Sequence, residues 1–192
     1  PRSGCPPRSR QLVLGASTLE TQPPANSPEL PGRAAALGKT GRNEFFRLKV
    51  AFDEEVITFM AETRNELTPA NDANWMMLFI DGDQRKDTGW EGYEFLLNWP
   101  VKQLPDENGL GVTSVQVNRG GWNWQEIGEA AYRVDGNQLW IAVPRRLLGM
   151  QSGPLSFNFH WVDNLQQPGE TWDFLISGDS APARRLDYHF EQ

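Results

Sequence analysis

Short apolar runs alternate with polar turns through most of the chain. Residues 43–52 and 56–62 are two runs rich in Phe and Val, with Asp53-Glu54-Glu55 between them. In the second, Val56, Thr58, Met60 and Glu62 face one way and Ile57, Phe59 and Ala61 the other. That period of two predicts a hairpin. Residues 75–80 are apolar at every position, too short for a typical helix, and predict a central strand buried on both faces. Asp81-Gly82-Asp83 ends it. Tyr93, Phe95, Leu97 and Trp99 alternate with Glu94, Leu96 and Asn98, and residues 111–119 alternate similarly. Trp122 and Trp124 flank Asn123, so both rings fall on one face. Residues 131–134 and 138–143 are joined by Asp135-Gly136-Asn137, a strong hairpin signal. Residues 144–149 read as one helical turn, with Pro144 first and Gly149 closing it. Residues 155–162, 171–176 and 186–190 complete the predicted strands. Nine or ten short strands without a long amphipathic helix predict an all-β fold, an antiparallel β-sandwich.

The pattern begins abruptly. Residues 1–39 hold 7 of the 14 prolines and no aromatic residue, and the first ring is Phe45. So few large apolar groups cannot bury enough surface to offset ordering entropy. This segment is expected to be a disordered leader or linker, foreign in composition to the domain at 40–192. It carries +3, which leaves −10 of the net charge of −7 on residues 40–192. An acidic chain lacks the basic face that nucleic acid or an anionic membrane surface requires. No apolar run is long enough to span a bilayer. The single cysteine, Cys5, excludes an internal disulfide framework and a Cys-based zinc cluster.

Catalytic constellations are hard to assemble from this chain. His160 and His189 are its two histidines. His160 lies mid-strand between Phe159 and Trp161 and reads as structural, and there is no Gly-x-Ser-x-Gly elbow. Paired carboxylates of the glycosidase kind have ample supply in Asp81, Asp83, Asp87, Glu91, Glu94, Asp163, Asp173 and Asp179. Acidic residues at strand ends more often shape turns, so the chain is expected not to be an enzyme.

Eight tryptophans in 192 residues are the excess to explain. Aromatic rings stack on the C–H faces of sugars while polar neighbours bond the hydroxyls. Trp75, Trp140 and Trp172 lie inside apolar runs and are expected in the core. Trp90, Trp99, Trp122 and Trp124 lie next to turns and, with Asn123, are the candidate ligand-binding residues. The loop from Asp81 to Asp87 places Asp81, Asp83 and Asp87 close together as candidate ligands for calcium, which takes hard oxygen donors. The full EF-hand pattern is absent, and a polar loop with Asp capping backbone donors is the simpler alternative.

The ordered set Trp75-Met76-Met77-Leu78-Phe79-Ile80-Asp81-Gly82-Asp83, then Thr88-Gly89-Trp90-Glu91-Gly92-Tyr93-Glu94-Phe95, resembles the family 9 carbohydrate-binding-module-like domains. The resemblance is to the subgroup found in bacterial polysaccharide-active and uncharacterised secreted proteins. Gly121-Trp122-Asn123-Trp124, Leu139-Trp140-Ile141-Ala142-Val143-Pro144-Arg145, Trp161-Val162-Asp163-Asn164 and Gly178-Asp179-Ser180-Ala181-Pro182 extend it over about residues 40–190. It implies a β-sandwich without catalytic residues, with structural calcium, in which sugar ends sit between two tryptophans. The implied partner is an oligo- or polysaccharide, with a catalytic domain elsewhere in a longer parent, and the implied location is extracellular or periplasmic. The family's own N-terminal strand is not recognisable in residues 1–39, which would leave one sheet edge unpaired. Two other readings stay open. One is a structural β-sandwich accompanying a glycan-active enzyme, with no ligand of its own. The other is a haem-binding relative using Met76, Met77 or His160, all more simply core residues.

Overall fold

The computed structural model describes residues 15–20, 41–72, 74–177, 179–182 and 186–192. They form an all-β antiparallel fold. Its strands are β1 (Gly15–Glu20), β2 (Phe45–Phe52), β3 (Val56–Thr63), β4 (Met77–Asp81), β5 (Phe95–Gln103), β6 (Leu110–Asn118), β7 (Trp124–Asp135), β8 (Gln138–Pro144), β9 (Ser156–Val162), β10 (Ser180–Ala181) and β11 (Tyr188–Glu191). One hydrogen-bonded ladder runs β1-β2-β3-β8-β7-β6-β5-β4-β9, and both β10 and β11 pair with β9. The ladder folds over until its ends meet through side chains, giving a nearly closed, barrel-like sandwich. Phe59 of β3 lies 5.7 Å from both Phe157 and Phe159 of β9, and Phe45 of β2 lies 6.2 Å from Trp161. A main-chain to side-chain bond adds to this, with the Phe45 N–H donating to Asp179 Oδ2 at 2.7 Å.

Local chemistry sets the turns. The Asp53 carboxylate accepts the N–H groups of Glu55 (2.8 Å) and Val56 (2.7 Å), closing the β2–β3 hairpin. In β3, Ile57, Phe59 and Ala61 are fully buried, as the alternation predicts. The β7–β8 hairpin turns on Gly136-Asn137, with Gly136 at φ 59°. Pro144 ends β8, and a 3₁₀ turn at Arg145–Leu148 closes on Gly149 at φ 69°. β4 is buried at all five positions. Leu78 and Ile80 enter the main core between the folded halves, while Met77 and Phe79 face a second cluster beneath the loops. No helix among the described residues is long and apolar enough to cross a membrane.

The structure departs from the sequence pattern in four places. Residues 171–176 are not a strand; Thr171–Leu175 is a 3₁₀ turn. The buried Asp173 carboxylate accepts the N–H groups of Gln166 and Gln167, which gathers this loop into a compact knot. As a consequence Trp172 is 64% exposed rather than core. Trp140 is half-buried on the outer face of β8, opposite Met60 and Arg133, because the inward phase belongs to Leu139 and Ile141. The fourth difference is β1, which sequence reasoning did not contain. It pairs from Gly15↔Phe52 to Glu20↔Arg47 and covers the edge of β2. The rest of the segment expected to be a disordered leader lies outside the described residues.

Candidate functional site

The four turn-flanking tryptophans converge on the second cluster. Phe79 sits at its centre, 5.5 Å from Trp90, 5.3 Å from Tyr93, 5.5 Å from Phe174, and 6.2 Å from both Trp122 and Trp124. Trp122 packs edge-on against Trp90 at 4.5 Å and against Trp124 at 5.7 Å. Trp90, one of the four expected ligand contacts, is buried within the cluster. Trp122 and Trp124 are half-buried and spend their faces on neighbouring rings, with Asn123 exposed at the turn between them. Trp161, in the main core, is fully buried, as are Met76, Met77 and His160.

Trp99 differs. One side packs on Trp122 at 5.7 Å. It also lines an open groove of about 470 Å³ with Asn71, Asp72, Asn74, Asn98 and Leu104. The Trp99 indole N–H donates to Asn74 Oδ1 at 2.8 Å. The groove is held by unusual backbone. Asn74 (φ 54°), Met76 (φ 46°) and Asn98 (φ 64°) all adopt left-handed conformations. For methionine this is costly and persists only where surrounding contacts over-determine it. Those contacts are present. The Asn98 amide donates to the carbonyls of Trp75 (3.0 Å) and Met76 (2.9 Å), and the Met76 N–H donates to Asp163 Oδ1 at 3.0 Å. Arg42 fastens the groove lip from below, at 3.0 Å from Asp163 and 3.5 Å from Asp72.

On the other side of the cluster is an acidic pocket. Asp81, Asp83 and Glu94 each bring one oxygen within 4.8 Å of the others, so the three can hold a metal ion. Oxygens this close together can reach a common ion at calcium's usual ligand distance of about 2.3–2.6 Å. The Asp81 side chain is fully buried. Its Oδ2 accepts from Asn158 (3.1 Å) and Lys86 (3.5 Å), while its Oδ1 is buried without a hydrogen-bond partner. Burial, with the Asp83 and Asp81 charges beside it, pushes the Glu94 carboxyl above the usual range, against hydrogen bonds from Thr88 and Gly82. Asp87 is not part of this group. It is exposed and clamped by Arg85 at 2.8 and 3.1 Å. Glu94 takes its place and was legible only through register: Ile80 pairs with Phe95, which sets Glu94 beside Asp81.

Beneath lies a polar network around Asp187, which accepts from Tyr93 and from Lys86 (2.6 Å). His160 bonds the Leu186 carbonyl through Nδ1 at 2.7 Å and stacks on Phe174 at 5.0 Å. Burial pushes its pKa down to about 4, so the ring is neutral and structural at pH 7.

The class of molecule defined here is an all-β antiparallel domain with an aromatic cluster, a polar groove beside Trp99 and an oxygen-lined pocket able to hold a cation. No protein-family model, no curated protein and no solved structure matches the chain.

Proposed function

We propose that this domain is a non-catalytic carbohydrate-binding module, related to the family 9-like domains its sequence resembles. The observation that carries the reading is the groove beside Trp99. A half-buried indole lines the groove with Asn71, Asp72, Asn74 and Asn98, on backbone held in left-handed conformations on both sides. The Asn71 amide both donates to and accepts from vicinal hydroxyls, the Asp72 carboxylate accepts from them, and the indole face takes a sugar ring's C–H face. Such a module brings a catalytic partner in a longer parent protein to a polysaccharide, outside the cell or in the periplasm, where such polymers lie.

Calorimetric titration of the full chain with neutral oligosaccharides tests this. Trp99→Ala is expected to weaken binding by at least tenfold, about 1.4 kcal/mol. Asn71→Ala, at an exposed position, is expected to weaken it several-fold without moving the unfolding midpoint. Unchanged affinity in both variants would abolish the assignment to this groove. The reading of a structural sandwich with no ligand of its own is favoured by one observation, the packing of Trp90, Trp122 and Trp124 on one another. It predicts a wild type that binds none of the probes.

The acidic pocket fits a hard cation, because its donors are all oxygen and the buried Asp81 Oδ1 has no other partner. The ion proposed is calcium, in a structural role that joins the end of β4 to the start of β5. Calcium at a hundred times its Kd is expected to raise stability by about 2.7 kcal/mol relative to EDTA. Asp81→Asn is expected to lose that increment. An unfolding midpoint identical in calcium and EDTA for the wild type would remove the ion from the proposal.

A further inference from the structure

We propose a second saccharide site, separate from the Trp99 groove, between the loop at residues 86–93 and the 3₁₀ turn Thr171–Leu175. The inference rests on the saccharide-binding reading of the domain but not on Trp99. A pocket of about 320 Å³ lies there, lined by Lys86, Glu91, Tyr93, Thr171 and Phe174, within the size range of small-molecule sites, roughly 300–1,000 Å³.

Its rim is built on strained backbone. Trp90 and Tyr93 exchange N–H···O bonds of 2.9 and 3.0 Å around the two-residue turn Glu91-Gly92. Both turn residues have positive φ, 55° at Glu91 and 98° at Gly92. This is the geometry for which Asn-Gly or Asp-Gly is preferred. Glutamate at the first position costs conformational energy that asparagine or glycine avoids, yet it is Glu91 that lines the pocket. Left-handed conformations at non-glycine residues concentrate at functional sites.

The opposite wall shows a second unusual feature. Thr171 and Phe174 line the pocket, and the intervening Trp172 is 64% exposed. Large side chains such as tryptophan are mostly buried, whereas this indole stays exposed among the described residues. The lining supplies both halves of hydroxyl recognition. Glu91 accepts, Thr171 donates and accepts, and Lys86 donates. The Lys86 ammonium is held by Asp187 at 2.6 Å and lies 5.4 Å from the Tyr93 ring centroid. Asp187 and Asp81, at 2.6 and 3.5 Å, flank that positive charge, which disfavours an anionic ligand. A neutral sugar ring with vicinal hydroxyls fits this chemistry, with a neighbouring ring laid on Trp172.

The test uses the full chain, with cellohexaose, xylohexaose and mannohexaose as probes. Stoichiometry is read by calorimetry and amide shifts by nuclear magnetic resonance. Wild type is expected to show two sites. Trp172→Ala is expected to weaken one of them by at least tenfold and to remove the shift changes at residues 86–93 and 171–176. Glu91→Gly is expected to do the same while leaving the unfolding midpoint unchanged or raised, because glycine relaxes the turn. A residue with a purely structural role would not combine lost binding with undiminished stability. Wild-type stoichiometry and affinity in both variants would overturn the second site and leave the Trp99 groove standing. A wild type that binds none of the probes would overturn both.

Discussion

Replacing Phe79 by alanine is expected to cost about 4 kcal/mol of unfolding free energy, the middle of the range for a buried phenylalanine. Phe79 is fully buried on β4, between His160 of β9 and Leu96 of β5. Its ring touches five others at 5.3 to 6.2 Å. Each such pair contributes roughly 0.5–1.5 kcal/mol beyond its buried area. The loops carrying Trp90, Trp122 and Phe174 cannot collapse together into the space left, because each is anchored elsewhere. The Trp90 turn is closed by its own backbone bonds, and the loop before Phe174 is tied by Asp173. The cavity term is therefore large. Phe79→Leu keeps most of the volume and loses the ring contacts, with an expected cost of about 1.5 kcal/mol. Urea unfolding followed by tryptophan fluorescence reads both quantities, since the indoles of this cluster report its loosening directly. A Phe79→Ala cost below about 1.5 kcal/mol would mean that the loops close over the gap, and that the cluster is a looser cover than its ring distances indicate.

The same strand shows what the sequence makes legible. β4 was predictable because an unbroken apolar run of strand length needs cover on both faces, and it has the main core on one side and the aromatic cluster on the other. The β2–β3 and β7–β8 hairpins followed from local chemistry, an Asp that bonds two backbone N–H groups and a Gly at a positive-φ position. What escaped was set by tertiary partners. Residues 171–176 are as apolar as several true strands, but the Asp173 carboxylate finds the backbone of Gln166 and Gln167 and bends the segment into a 3₁₀ turn. Trp140 sits in an apolar run whose phase, not its composition, turns the indole outward. β1 has little hydrophobic signal of its own, and its pairing with β2 is a matter of backbone bonds. At the site, sequence proximity grouped Asp81, Asp83 and Asp87, whereas sheet register groups Asp81, Asp83 and Glu94. The tryptophans next to turns lie together in one cluster, yet position beside a turn does not separate an indole that covers a cluster from one that lines a groove. That distinction depends on which loops fold over which face.

Between pH 6.5 and 4 the two largest titrations are expected nearly to cancel in stability, because buried His160 and partly buried Asp179 are shifted with opposite sign. Burial, with the Lys86 charge assisting, pushes His160 down to about 4, against the Leu186 carbonyl and Asp187. Below its ordinary value of about 6.5 the unfolded chain takes up a proton that the folded ring refuses. Stability is therefore lost as pH falls from 6.5 to 4, by about 3 kcal/mol in total. Asp179 runs the other way. Burial, with Glu44 and Asp163 nearby, pushes its carboxyl up to about 6, against the N–H bonds from Phe45 and Ser180. Between that value and the ordinary 3.8 the folded state holds more protons than the unfolded one. Stability is gained as pH falls from 6 to 3.8, again by about 3 kcal/mol. Asp163, also raised by burial, adds in the same direction. Single substitutions separate the two contributions. His160→Gln, whose amide can still donate to the Leu186 carbonyl, is expected to gain stability on acidification. Asp179→Asn, which can still accept the Phe45 N–H, is expected to lose about 3 kcal/mol from pH 6.5 to 4 and to exceed the wild type at pH 7.5. Urea unfolding in EDTA, which keeps the acidic pocket free of metal, reads the slopes. Parallel pH profiles in wild type and both variants would mean that neither group carries the linkage. Slopes of opposite sign would place the balance on these two side chains, one behind the aromatic cluster and the other where β2 meets the far edge of the sheet.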